Sequence, residues 1–370
     1  AAQHLFRNWG NAQPHFERQG IEVNALLTVE SVNVLHGGVK TGHKFLGNFD
    51  FTTTVDTHDA GWWDDGTFFF YMLADAGGDP TTIVGDMQTT SNIEAYDTAK
   101  LFEAWYQHRL GDRYSALVGL YNYNAEFYTL KYAGTFFTSS FGIGPDVSQT
   151  GPSIFPTTAL AVRVNYASPD GLYASGAIFD GVPGDPADPR GTQITLDYYD
   201  GVFYAVEAGY NASKDAGDPD YTKLGIGIWH NTQNFVDSID GSVRSSNGGA
   251  YIIGETTLKK GLGVFLQVGA ARKDRNQIAN YIGTGVYYAG LPGRADDVFA
   301  VGLAQARNSQ AYRTVNPGGE RDETILEINY MMQITPWLII QPALQYVMDP
   351  SMDPTIPNAL VASARLKAAL

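Results

Sequence analysis

Carboxylates are the most numerous side chains able to do chemistry here: 39 Asp and Glu stand against 24 Lys and Arg, a net charge of −15. Many lie two residues from another polar group, as in Glu22–Asn24, Asn48–Asp50 and Glu327–Asn329. Paired acids could serve a glycosidase. Carboxylates at every second position are equally what a polar strand face requires. Other catalytic signatures are missing. The seven histidines (His4, His15, His36, His43, His58, His108, His230) include no paired metal spacing such as H-E-x-x-H. No G-x-S-x-G nucleophile elbow occurs. Gly283-x-Gly285 lacks a phosphate-loop context and reads as strand glycine. With no cysteine there is neither a disulfide framework nor a thiolate metal site. The negative balance argues against nucleic acid, whose binders meet phosphate with basic surfaces. No cofactor is expected.

The elements that must position these groups are strands. From Lys44 to Asp56 one parity reads Phe45, Gly47, Phe49, Phe51, Val55, and the other Lys44, Asn48, Asp50, Thr52, Thr54, Asp56. Such a segment has one apolar and one polar face. The final third repeats it: Thr324, Leu326, Ile328 and Tyr330 oppose Glu323, Glu327, Asn329 and Gln333. No run approaches the roughly 18 apolar residues of a membrane helix; the nearest, Trp337 to Met348, is broken by Gln341, Pro342 and Gln345.

Sixteen such segments start near Ile21, Lys44, Gly66, Ala99, Tyr114, Ala159, Leu172, Val202, Tyr221, Gly249, Leu262, Asn280, Asp297, Glu323, Leu338 and Ala359. Short turns (111–113, 168–171, 259–261, 335–337) alternate with long connections (76–98, 122–158, 181–201, 232–248, 307–322). That alternation predicts an all-β fold: a transmembrane antiparallel β-barrel of about sixteen strands, with short periplasmic turns and long extracellular loops. Thr192–Asp197 is placed in a loop. The expected organisation is a periplasmic or plug-like segment over 1–20 and a barrel over 21–370, with an inward constriction loop around 122–158. No basic-then-apolar leader stands at Ala1, so any export signal is expected to have been removed. A soluble sandwich or propeller would give the same alternation. Tyr near strand ends (Tyr114, Tyr166, Tyr210, Tyr330, Tyr346), charges on the opposite face and a last strand running to the chain end favour the membrane barrel.

Several stretches resemble, in order, the carbohydrate-selective porins of Gram-negative outer membranes, the OprB family. These are Phe6-Arg7-Asn8-Trp9-Gly10; Val55-Asp56-Thr57 followed by Gly61-Trp62; Lys100 to Gln107; Ile178-Phe179-Asp180-Gly181-Val182-Pro183; and Gly290 to Asp297. The fullest runs from Glu323-Thr324 through Gln333-Ile334-Thr335-Pro336-Trp337-Leu338 to Gln345-Tyr346. Two positions depart from the family pattern: Lys100 stands where Arg is usual, and Leu370 ends a chain type that usually ends on an aromatic.

The resemblance implies passive, selective diffusion of small sugars across a bacterial outer membrane. The partners it implies are sugars, outer-membrane lipid and lipopolysaccharide, with a possible homo-oligomer. Turning the polar parity inward gives the expected path lining: Glu30, Asp50, Glu103, Gln107, Arg109, Arg163, Glu207, Lys223, Trp229, Glu255 and Glu327. Carboxylates and guanidinium groups exchange hydrogen bonds with hydroxyls, and Trp can lie against a sugar's apolar face. The same charges would serve equally as a network stiffening the wall. The longest loop leads off with Asn122, Tyr123, Asn124, Glu126 and Phe127, the expected constriction residues. The alternatives are a general or cation-leaning diffusion porin, an outer-membrane hydrolase, or a soluble sugar-binding β protein.

Overall fold

Alternating residues build sixteen antiparallel strands, each hydrogen-bonded to its sequence neighbours, and β1 closes onto β16. They are β1 (Ile21–His36), β2 (Gly42–Asp56), β3 (Gly66–Gly77), β4 (Thr98–Leu110), β5 (Tyr114–Tyr121), β6 (Ala159–Ala167), β7 (Leu172–Asp180) and β8 (Val202–Asn211). The second half comprises β9 (Thr222–Val236), β10 (Val243–Lys259), β11 (Leu262–Ala271), β12 (Ile278–Leu291), β13 (Arg294–Asn308), β14 (Asp322–Thr335), β15 (Leu338–Met348) and β16 (Ala359–Ala369). This computed structural model describes residues 19–197, 199–212, 218–237 and 239–369. The amino-terminal segment assigned to 1–20 therefore lies, but for its last two residues, outside the described residues. Among the described residues no helix is long and apolar enough to cross a membrane; the strands do the crossing.

The faces are inverted relative to a soluble protein. On β9, Leu224, Ile226 and Ile228 point outward and are 51–58% exposed, while Trp229 on the inner parity is 2% exposed. On β8, Val206 is exposed outside and Glu207 is buried inside. Large aliphatic side chains bare on the outside, with carboxylates hidden within, suit a hydrocarbon surround and a polar lumen. This excludes the soluble sandwich and propeller.

Strand starts agree with the sequence reading to within three residues except at β10, which begins at Val243 rather than near Gly249. The expected long loop 232–248 is mostly an extended hairpin of β9 and β10. Its residues Arg244-Ser245-Ser246-Asn247 show no alternation, and a bulge between Ser245 and Asn247, with Ser246 at φ 65°, breaks the parity. Thr192–Asp197 forms no strand. Thr192 instead bonds both backbone groups of Leu101, covering a length of β4 to which β5 does not reach.

Candidate functional site

The barrel interior is filled by two long connections. Residues 122–158 leave β5, cross the lumen and return. Their aromatic side chains, including Tyr123, Phe127, Tyr128, Tyr132, Phe136 and Phe141, pack with wall residues such as Phe179, Phe203, Trp229 and Phe265 in one buried cluster. The wall makes room with small inward residues. A Cβ at Gly302 would stand 2.6 Å from the Phe136 ring and 2.8 Å from that of Phe141, so only glycine lets the loop seat this closely.

Wall carboxylates hold this loop by its backbone. The Asn122 N–H donates to Glu103 Oε2 at 3.3 Å. Tyr128 N–H donates to Glu207 at 2.9 Å, and Lys131 and Tyr132 N–H each donate to Glu255 at 2.8 Å. Phe137 and Thr138 N–H donate to the two oxygens of Glu327 at 2.8 and 3.0 Å. The loop thus steps around the barrel from β4 to β14, then back by Gln149, which exchanges two bonds with the Ile278 backbone. Charge-assisted acceptors of this kind satisfy backbone donors that no sheet or helix would serve.

Residues 78–97 fold inward as well, which the sequence reading did not anticipate. Glu323 accepts the N–H groups of Met87 at 2.9 Å, Gln88 at 3.0 Å and Ser351 at 2.6 Å. The two loops are stitched together: Ser139 N–H donates to Thr89 O at 2.9 Å, and Asn92 N–H to Phe137 O at 2.7 Å.

The remaining expected lining residues are placed as follows. Arg163 lies with Nε 2.9 Å from Glu126 Oε2, without an aligned N–H, and donates through Nη2 to Gln107 at 2.6 Å. Glu126 in turn accepts from Tyr121, Asn165 and Ser175, so the loop also reaches back to the wall. Lys223 Nζ donates to Thr129 O at 2.7 Å and stands 3.9 Å from Glu207. Glu30 is fully buried against Arg365 at 2.5 Å. Asp50 accepts from Tyr71 at 2.6 Å and faces open space. Arg109 sits exposed at the periplasmic end of β4, 3.3 Å from Asp65 and away from the others. Trp229 is under the loop rather than on the path. Tyr123 and Phe127, part of the loop, are buried in the same cluster, and Glu207, Glu255 and Glu327 are bonded to the loop backbone.

Two neighbouring cavities lie against these loops among the described residues. The upper, of about 330 Å³, lies between the loops and is lined among others by Gln88, Glu94, Asn124 and Pro145. The lower, of about 290 Å³, opens against β1, β2 and β16 and includes Thr28, Asn48, Asp50, Arg365 and Lys367. Asn92, Asn122 and Phe155 line both. Asn92, Phe155 and Lys367 were not among the sequence candidates. Parity alone could have found Lys367, whereas Asn92 and Phe155 are loop residues with no periodic signal. Burial, reinforced by repulsion from Asp86, pushes the Glu94 carboxyl up to about 7.

A closed barrel with an apolar belt, its bore narrowed by folded-in loops, defines an outer-membrane channel of the porin class. The chain belongs to the carbohydrate-selective porin, OprB family, whose profile matches residues 40–370. It is a sugar-selective channel of the Gram-negative outer membrane. The high-pH structure of Pseudomonas putida OprB is 16% identical and superposes with a TM-score of 0.86, covering 100% of this chain and 99% of that one. The low-pH structure of the same protein gives 15% identity, a TM-score of 0.64 and coverage of 99% and 98%. The outer-membrane channel DcaP of Acinetobacter baumannii gives 8% identity, a TM-score of 0.59 and coverage of 95% and 97%. At these identities the likeness speaks for the fold. No curated protein matches in sequence.

Proposed function

We propose that the channel passes glucose and other mono- or oligosaccharides into the periplasm by passive diffusion, with no covalent chemistry. The observation that carries this reading is the pair of small chambers meeting at Asn92, Asn122 and Phe155. At about 300 Å³ each they stand at the low end of small-ligand sites. Loops 78–97 and 122–158 together form the constriction. Of the lining residues, Asp50 meets the solute, while Glu103, Glu207, Glu255 and Glu327 hold the loops and Arg163 with Gln107 stiffens the wall beneath Glu126. The outer belt contacts lipid and lipopolysaccharide.

A second reading, a cation-leaning diffusion pore, draws on Glu94, which lines the upper chamber, a chamber whose lining among the described residues includes no Lys or Arg. Conductance measured in planar bilayers against increasing glucose separates the two. A sugar-passing pore is blocked saturably; a diffusion pore shows only the slope of bulk viscosity.

A further inference from the structure

We infer that the gap bounded by Asn92, Asn122 and Phe155 is the selectivity element, an uncharged opening of two amides and one ring, and that Glu103 and Arg365 act on it as positioning residues. The inference rests on the sugar-passing reading above and adds what does the selecting.

Asn92 comes from one inward loop, and Asn122 and Phe155 from the two ends of the other. They are the residues shared by both chambers, so a solute moving from one to the other passes between them. None is charged, although charges stand close by. Those charges are turned to holding the gap. Arg365 is bound to Glu30 through Nε at 2.7 Å and Nη2 at 2.5 Å, and the same Nη2 donates to Asn92 Oδ1 at 2.7 Å. Glu103 Oε2 accepts the Asn122 N–H at 3.3 Å and the Trp105 indole N–H at 3.2 Å.

What the gap offers suits a polyol ring. Asn122 Oδ1 accepts the Asn124 N–H at 2.9 Å, while its two Nδ2 hydrogens have no protein acceptor among the described residues. Asn92 uses Nδ2 toward Phe136 O at 3.1 Å and keeps one N–H and one lone pair. Phe155, half-buried, sits with its ring 6.3 Å from that of Phe102. A pyranose carries hydroxyls at its edge and C–H groups on its faces, so the amides can take the edge and the phenyl ring a face. The three side chains of the gap carry no charge of their own, and the guanidinium nearest them, Arg365, is already paired with Glu30; an ion that sheds water between them gets little compensation, which is costly.

The test uses folded barrels of wild type, Asn122→Asp, Phe155→Ala, Glu103→Gln and Glu103→Ala in planar bilayers. Heat-modifiable gel mobility confirms closure. Glucose block and the reversal potential in a KCl gradient are read for each. Losing one neutral contact corresponds to about a two- to tenfold weaker block. That loss is expected in Phe155→Ala with ion preference unchanged, and in Asn122→Asp together with a marked turn toward cations. Glu103→Gln keeps the acceptor for Asn122 and keeps the block; Glu103→Ala loses both. Wild-type block in both Asn122→Asp and Phe155→Ala overturns the selectivity assignment, and equal block in the two Glu103 variants overturns the positioning role. If wild type itself is not blocked by glucose, the sugar-passing reading fails first, and this inference with it.

Discussion

The wall carboxylates are not interchangeable with one another or with surface acids. Glu327 meets two consecutive backbone donors as well as the Thr138 hydroxyl at 2.8 Å. Glu327→Ala strands these groups, at roughly 1–3 kcal/mol for each that water does not reach. The barrel is expected to close normally while single-channel records become noisy from a loosened loop. Quiet wild-type records from that variant would show that the apolar packing alone holds the loop. Asp146 is the opposite case. It is fully buried inside loop 122–158, with Oδ1 3.3 Å from the Tyr128 hydroxyl and Oδ2 without a partner, and burial pushes its carboxyl up to about 7 from 3.8. Below about pH 4 the group is protonated folded or unfolded and costs nothing. Between about 4 and 7 only the unfolded chain ionises, so stability falls as pH rises; above 7 the loss is complete, up to about 4 kcal/mol. Asp146→Asn is therefore expected to flatten the decline of the gel-shift melting midpoint between pH 5 and pH 8. An undiminished decline would assign it to other groups.

Strands and loops were legible in the sequence to different degrees. Phe49 and Asn48 occupy opposite faces of β2: Phe49 pairs in register with Leu27 and Ala74, while Asn48 donates to Asp75 at 3.2 Å and borders the lower chamber. Phe49→Arg is expected to impair assembly by about 2–4 kcal/mol, the cost of a charge on the lipid face near mid-membrane. Asn48→Arg finds Asp75 beside it and is expected to fold. Thermal gel-shift of the two proteins measures the asymmetry, and equal behaviour would reject the register. Such alternation is a local property, so strand number, every strand start except that of β10, and the inward parity of Glu30, Glu207 or Glu327 were readable. The partners of those carboxylates were not. Glu207 is met by a backbone N–H 79 residues away and Glu327 by one 190 residues away, and a backbone N–H carries no residue-type signal. The run Asp86-Met87-Gln88-Thr89-Thr90-Ser91-Asn92 follows neither period, so nothing local marks loop 78–97 as inward-folding. The bulge in β4, where Tyr71 pairs with Glu103 and Met72 with Leu101, places Phe102 and Glu103 both among the buried residues, which strict alternation could not show.

At the scale of the whole molecule, charge and selectivity separate. The chain carries −15, yet Glu103, Glu207, Glu255, Glu323 and Glu327 accept from loop backbones and Glu30 pairs with Arg365, while the three side chains that line both chambers are uncharged. A filter built on fixed charge weakens as salt rises, because the Debye length falls from about 10 Å at 0.1 M to about 3 Å at 1 M. Hydrogen bonds and ring contacts are screened far less. A sugar site in the lumen shows itself when glucose is titrated into planar-bilayer recordings at about 0.1 M and about 1 M KCl. The expected result is a saturable reduction of ionic conductance whose half-blocking glucose concentration is the same at both salts. A linear reduction, matched by an inert polyol of equal size, would contradict it and leave a general diffusion pore.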